Sequence, residues 1–398
     1  MPDNPSFCVG IDAGAASTRC VIGVMEEDSL RFLGFGEQAS SGWSKGRLAD
    51  VEAASAAIGE AVREAERKAG VSVGAAVVGM GSGIDSVNSR GLYEFGRPRD
   101  IQTDDLGYAV QLATQVQPET SRMLLQACPQ DFTVDGRAGY RHPHGARGAR
   151  LEANVRLITA RTQEHQILVN AVHNAHLAVE ETVFDAMAAA YASVLPEERT
   201  RGVAILDIGA QSTGMVVYDG DALVGACSLP VCGDHFTRDV AWGLTVSFED
   251  AQRIKEEYGC AILGLTSDSS LIEVPSPAGR PPREAPRRQL NSILEARAEE
   301  LFLYAQAELV QAGMQQELLE GVVLTGGCAR LNGMCDMAER VLNCQARNGL
   351  PAGLDQWPEE INDPAWSTVA GLAMYSARLK FRKELKRRAP GLLGYLVR

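Results

Sequence analysis

Two short stretches of this sequence carry matching groups that could hold a phosphate chain. Residues 12–21 and 207–216 both read D-x-G-A-x-S-T-x-x-V. The frame pairs Asp12 with Asp207, Gly14 with Gly209, Ala15 with Ala210, Ser17 with Ser212, Thr18 with Thr213 and Val21 with Val216. In each copy an apolar run precedes the Asp and another follows the hydroxyls. That is the pattern of a β-hairpin whose tip bears a carboxylate, hydroxyls and outward-pointing N–H groups. N–H groups gathered in such a turn form an anion nest, and phosphate is its usual guest. A carboxylate cannot bind phosphate itself, but it can hold the water shell of a Mg²⁺ that bridges two phosphates. Asp12 and Asp207 are therefore the candidate residues for positioning magnesium and water. Two such hairpins, 195 residues apart, imply a duplication with a phosphate chain clamped between similar halves.

The elements that must carry these tips can be read from periodicity and punctuation. Strands are expected over residues 7–11, 20–25 and 30–36, then a helix capped by Asp50 and stopped by Gly70, then a buried strand over 73–79. A helix over 104–116 follows, with strands over 124–127, 132–134 and 150–158, a Gly-, Arg- and His-rich loop over 137–148, and a helix over 163–175. This stretch reads as a small α+β module inserted into the first half. A strand over 179–182 and an Ala-rich helix over 184–194 lead to the second hairpin, whose meander closes with 222–229. Helices are expected over 234–242, 248–258, 289–313, 331–342 and 364–379, and a strand over 322–325. Residues 276–288, rich in Pro and Arg, read as an exposed loop. The pairs His142/His144 and His173/His176 lack further ligands at metal spacing and read as solvated.

The 398 residues are enough for two or more full cores, and the 45% hydrophobic and 22% charged content is that of an ordinary globular protein. A net charge of −13 disfavours nucleic acid as a partner. Nine cysteines without a C-x-x-C pair read as reduced thiols of a cytosolic protein, and no signal peptide or membrane span is visible. The carboxyl terminus differs in kind. Lys386, Arg387 and Arg388 precede Leu392, Leu393 and Leu396, a basic segment feeding a short apolar end, which suits an anionic membrane surface.

A third turn completes the set. Residues 322–327 read V-V-L-T-G-G, and Gly326 and Gly327 after a buried strand let the backbone approach a flat ring such as adenine. The order D-x-G, D-x-G, T-G-G over nearly the whole chain resembles the actin-like nucleotide-binding superfamily. Within it, residues 126–136, 148–152 and 155–159 look like the extra subdomain of the FtsA family of bacterial cell-division proteins. Residues 236–241 (F-T-R-D-V-A), 254–261 (I-K-E-E-Y-G-C-A) and 293–301 (I-L-E-A-R-A-E-E-L) also resemble stretches of that family.

The resemblance implies an α/β, actin-like two-domain fold of duplicated ribonuclease-H-like halves. The first half would be 1–82 with 177–200, the inserted subdomain 83–176, and the second half 201–363 with a small subdomain at about 245–315. A closing helix would take 364–380 and a membrane-targeting tail 381–398. The cofactors implied are ATP and Mg²⁺. Gly14, Ser17 and Thr18 would serve the first phosphate loop, and Gly209, Ser212 and Thr213 the second. Gly233 and Lys255 would lie near ribose and base, with Gly326 and Gly327 flanking adenine. The implied partners are the acidic FtsZ tail, with Arg287, Arg288 and Arg297 as candidate contacts, further copies in a filament, and later division proteins through the module. The implied location is the cytoplasmic face of the membrane at the division site.

Departures from the family pattern bear on the chemistry. Ala15 stands where a hydroxyl is usual, Ala210 and Gln211 where glycines are usual, and Gln252 where Glu is usual. Side chains in place of glycine alter how phosphate meets backbone, so ATP binding with slow or negligible hydrolysis is expected. Two other readings share the hairpins. A small-molecule kinase would need a catalytic Asp over a second substrate pocket. An FtsA-like assembly protein of a pilus or secretion machine would need no FtsZ.

Overall fold

The computed structural model describes residues 6–26, 29–115, 119–276, 281–314 and 318–388, with side chains through 384. The chain opens with β1 (Phe7–Ala13), β2 (Ser17–Glu26), β3 (Ser29–Ala39), the two-residue β4 (Trp43–Ser44) and β5 (Arg47–Leu48), α1 (Val51–Ala69) and β6 (Ala75–Met80). The inserted stretch gives β7 (Asp85–Asp100), α2 (Thr103–Ala113), β8 (Arg122–Val134), β9 (Arg137–Tyr140) and β10 (Arg147–Arg161). Then come α3 (Thr162–Asn174), β11 (Ala178–Phe184), α4 (Asp185–Ser193) and α5 (Pro196–Arg201). The second half holds β12 (Val203–Ile208), β13 (Thr213–Asp219), β14 (Ala222–Leu229), α6 (Gly233–Leu244), α7 (Phe248–Tyr258), β15 (Leu271–Val274), β16 (Arg283–Pro286) and α8 (Arg287–Gln311). It continues with β17 (Val322–Thr325), α9 (Met334–Leu342), β18 (Ala346–Asn348) and α10 (Ser367–Arg388).

The duplication extends from the loops to the sheets. One sheet runs β3-β2-β1-β6-β11 and the other β14-β13-β12-β17-β18, each an antiparallel meander joined to parallel strands in the same order. The turns fall where the repeat places them, between the pairs Ala13↔Thr18 and Ile208↔Thr213. Asp50 caps α1 by accepting from the amides of Glu52 and Ala53, and Gly70 ends it in a left-handed conformation.

Between the sheets lie α4 and α10. Helix α10 packs on β1 and β2, α4 packs on β12 and β13, and the two helices pack on each other. Their backbones touch at Gly371, where a Cβ would stand 1.7 Å from the Ala188 carbonyl oxygen. The Ala-rich sequence of α4 thus sets the spacing of the halves, because only small side chains let helices approach this closely.

Several expectations are corrected. Residues 85–100 form a long strand. It was missed because its charged and glycine-bearing sequence has no apolar run, and its burial is confined to scattered positions. The two strands expected over 124–134 are one, β8, broken in register opposite Asn154/Val155 and Ile158/Thr159. The loop expected over 137–148 contains β9, and the loop over 276–288 ends in β16, which pairs with β15. Helix α3, assigned by sequence to the inserted module, buries Leu168, Ala171 and Val172 in the first-half core. The module keeps a core of its own around Phe132, Leu151 and Ile101. Helix α10 runs without a break to Arg388, so the basic segment begins on the closing helix. Leu392, Leu393 and Leu396 lie outside the described residues, as do the side chains of Lys386, Arg387 and Arg388.

The module is spliced into the first half but docks on the second. Ser86 Oγ donates to the Ala226 carbonyl (2.6 Å), Gln130 Nε2 to that of Leu223 (3.0 Å), and Arg156 to that of Val224. The Ser228 amide donates to the Ile84 carbonyl at 3.2 Å. Strand β14 therefore has its outer edge taken up by the module.

A Gly371→Ala substitution tests the helix contact. On helix propensity alone it would stabilise α10 by about 1 kcal/mol. We expect a net loss of about 1–3 kcal/mol in urea unfolding, because the added methyl forces α4 and α10 apart.

Candidate nucleotide site

The two Asp-bearing turns face a common cleft. Asp12 is the penultimate residue of β1, opposite Arg19, and Asp207 the penultimate residue of β12, opposite Gly214. Both carboxylates are half-buried, and they interact electrostatically. The turns are built alike: a Cβ on Gly14 would stand 2.8 Å from the Ser17 carbonyl oxygen, and one on Gly209 3.0 Å from that of Ser212. The second nest is less open than the sequence suggested, because the Gly209 amide donates within its own turn to the Ser212 carbonyl (2.9 Å).

A third acid joins them that the sequence reading passed over. Asp185 is the first residue of α4, immediately after β11. Its carboxylate sits where side chains at Gly79 and Gly81 would be: Cβ atoms there would lie 2.2 Å from its Oδ1 and 2.5 Å from its Oδ2. Oδ1 is buried and lacks a hydrogen-bond partner among the described residues. The available signal was a Gly-x-Gly after a buried strand, together with an Asp at a strand-to-helix junction. Gly14, Ala15, Gly81, Asp185, Gln211 and Ser212 surround a cavity of about 40 Å³ between the turns.

Burial raises the proton affinity of all three acids. Asp12 is pushed up to about 7 by burial, with Arg19 opposing and Asp207 adding. Burial, then Asp12 and Asp207, carry Asp185 well above the usual carboxylate range. Asp207 is also raised by burial, offset by hydrogen bonds from Thr368 (3.1 Å) and Thr325 (3.3 Å) and by Arg19. Arg19 is otherwise engaged: it pairs with Glu37 (2.8 Å), donates to the Ala365 carbonyl (3.0 Å) and lies over the Trp366 ring. No three His, Cys, Asp or Glu side chains among the described residues converge closely enough to ligate one ion alone. A hard divalent cation held partly through water nevertheless fits three recessed carboxylates, one with an orphaned oxygen.

The other predicted residues divide into two groups. Gly233 begins α6, and its amide and that of Asp234 donate to the Gly209 and Ala210 carbonyls (2.9 and 2.7 Å), so the positive end of the helix abuts the second turn. Lys255 is buried and donates to Thr237 Oγ1 at 2.7 Å and the Gly233 carbonyl at 3.4 Å. Its charge also reaches Cys328, beside Gly327. Gly326 adopts φ +82°, and a Cβ there would stand 2.7 Å from Asp207 Oδ1; Gly327 faces open space. Ser17 and Ser212 are half-buried, whereas Thr18 (2% exposed) and Thr213 (0%) are closed off from the cleft. The Thr18 hydroxyl is paired with Ser40, at 2.7 Å.

The acid cluster predicts a pH-dependent stability. The folded state holds a proton on Asp12 up to about pH 7 that the unfolded chain releases near pH 4. Stability contributed by this group therefore falls as pH rises through that window, and the full deficit is present above it. Asp12→Asn should stabilise the nucleotide-free protein by about 2 kcal/mol at pH 8, with the gain shrinking toward pH 4, as read from paired thermal melts.

Comparison with known proteins agrees with this architecture. Residues 204–371 match the model of the family described as Cell division protein FtsA, and residues 81–159 match the SHS2 domain inserted in FTSA. The chain is 32% identical over 369 residues to the cell division protein FtsA of Pseudomonas aeruginosa, covering 92% of this chain and 88% of the relative. It is 29% identical over 401 residues to that of Escherichia coli K12, covering 98% and 95%. Among solved structures it is similar to the PilM–PilN type IV pilus biogenesis complex (TM-score 0.66, 18% identity, covering 93% and 98%). It is also similar to ADP-bound MreB5 of Spiroplasma citri (TM-score 0.59, 13% identity, covering 95% and 98%). These structural likenesses show an actin-like fold, and the sequence relatives show the family. The chain belongs to the FtsA family of cell division proteins.

Proposed function

We propose that this chain binds ATP with Mg²⁺ in the cleft, polymerises head to tail, and tethers FtsZ filaments to the cytoplasmic face of the membrane at the division site. The observation that carries this reading is the pair of Asp-bearing turns, alike in sequence and in build, facing each other with Asp185 between them. Triphosphate would lie between the turns, its magnesium held through water by Asp12, Asp207 and Asp185, with ribose and base toward Gly233, Lys255, Gly326 and Gly327. The ion would neutralise charge on the phosphates and on the acids. Turnover is slow or negligible, because Ala15, Ala210 and Gln211 replace the hydroxyl and glycines of the usual loops and so alter the positioning on which phosphoryl transfer depends.

The acidic FtsZ tail would dock near 245–315. All three candidate arginines already have partners: Arg297 bonds Asp239 (2.6 Å) and Glu300, Arg287 donates to the Tyr258 carbonyl (2.7 Å), and Arg288 pairs with Asp268 at 2.6 Å. An acidic peptide would exchange for these carboxylates. Arg288 is the easiest to recruit, because its exposed ion pair is weak. The basic, apolar terminus would supply the lipid anchor, and the inserted module a surface for later division proteins. No helix among the described residues is long and apolar enough to cross a bilayer.

Flotation with vesicles containing anionic lipid tests the whole assignment. The full chain should float and carry an FtsZ tail peptide with it. Truncation after residue 391 should abolish flotation while leaving peptide binding within about twofold, and raised salt should weaken both. ATP turnover at the rate of a metabolic kinase would sink the assignment, as would flotation by the truncated chain.

A further inference from the structure

Gln211 is a side chain that bridges the two halves at the cleft, beside Ser228, whose hydroxyl meets the Ile84 amide (3.1 Å) and the Gly81 carbonyl (3.4 Å). Its Oε1 accepts from the Gly46 amide at 2.9 Å. Its side chain lies near the carboxylate of Asp234, in the first turn of α6, and favours that group's ionised form. Backbone approaches as closely as side chain: Gly46 has φ +74°, and a Cβ on it would stand 2.9 Å from the Gln211 carbonyl oxygen. Gly46 lies in the tight turn between β4 and β5, and its neighbour Arg47 is anchored to Glu164 of α3 (3.1 Å). One carboxamide thus ties a turn of the first half to the second Asp-bearing turn. It does so on the wall of the 40 Å³ cavity that also meets Gly14, Ala15, Gly81, Asp185 and Ser212.

That cavity holds a few water molecules and is far too small for a phosphate chain. A phosphate group can seat between the turns only from a state in which this end of the cleft has opened. We propose that Gln211 is a latch that holds the cleft shut at its terminal-phosphate end and so sets how fast nucleotide binds. The proposal rests on the nucleotide reading of the cleft. A tie that must break before phosphate can seat lowers the population competent to bind, which weakens apparent affinity by the same factor. The one hydrogen bond that crosses between the halves, from the Gly46 amide to Gln211, is enough for an effect of up to about tenfold. Glycine at this position cannot make it.

Two measurements on the full chain test the latch. Hydrogen exchange in nucleotide-free protein should show the Gly46 amide protected, and about tenfold faster exchange there in Gln211→Gly and Gln211→Ala. Stopped-flow binding of a fluorescent ATP analogue with Mg²⁺ should show association about tenfold faster in both variants, dissociation within about twofold, and Kd correspondingly tighter. Unchanged exchange at Gly46 overturns the latch. So does faster exchange with association unchanged or slower. If the parent protein binds no nucleotide, the reading of the cleft fails and the gating role with it, while the exchange arm still reports whether Gln211 ties the halves.

Discussion

The structure is organised around three half-buried carboxylates gathered at one cleft. Asp12, Asp185 and Asp207 come from β1, α4 and β12; burial holds all three carboxyls above the normal range, and repulsion from neighbouring acids adds to it at Asp12 and Asp185. Isolated acids in such surroundings are expensive, and proteins ordinarily pair them. Here the local relief is partial. Thr325 and Thr368 donate to Asp207, and Arg19 lends charge while being held by Glu37 and Trp366. An arrangement that folding alone would disfavour suits the proposed cation and phosphates, whose binding would supply the missing charge.

The remaining architecture makes that convergence sterically feasible. Glycines at 79, 81 and 326 leave the space the carboxylates occupy, and the crossing of α4 and α10 at Gly371 and Ala188 keeps the two sheets close enough to share one cleft. Asp185 leads α4, and Thr368 lies in the first turn of α10. The same helix pair therefore spaces the halves and carries two of the groups at their junction. A change in the packing of these helices is also a change in the geometry of the acids.

Much of this was legible in the sequence because duplication writes the same instructions twice. Asp12 and Asp207 stood out as members of a repeated frame, and the repeated strand order followed. Asp185 belongs to no repeat. Its importance comes from glycines on β6 and just beyond it, a proximity that local patterning does not encode. Strand β7 was hidden for a related reason: its sequence is polar, and its order comes from pairing with β10 across the fold. The buried hydroxyls of Thr18 and Thr213 show the converse limit. The repeat correctly marked these positions as alike, but likeness alone did not say whether they face the cleft or the core.

The docking of the inserted module on β14 has a bearing on self-association. An outer strand normally leaves a row of amides and carbonyls that another chain can extend. Here carbonyls along that row accept from Ser86, Gln130 and Arg156, and the Ser228 amide is spent on Ile84. At the far margin of the other sheet, the Phe32 amide and Leu30 carbonyl are likewise occupied by Asp355. Along these stretches a neighbouring molecule would meet side chains and loops instead of an open ladder, so growth by strand addition is blocked there.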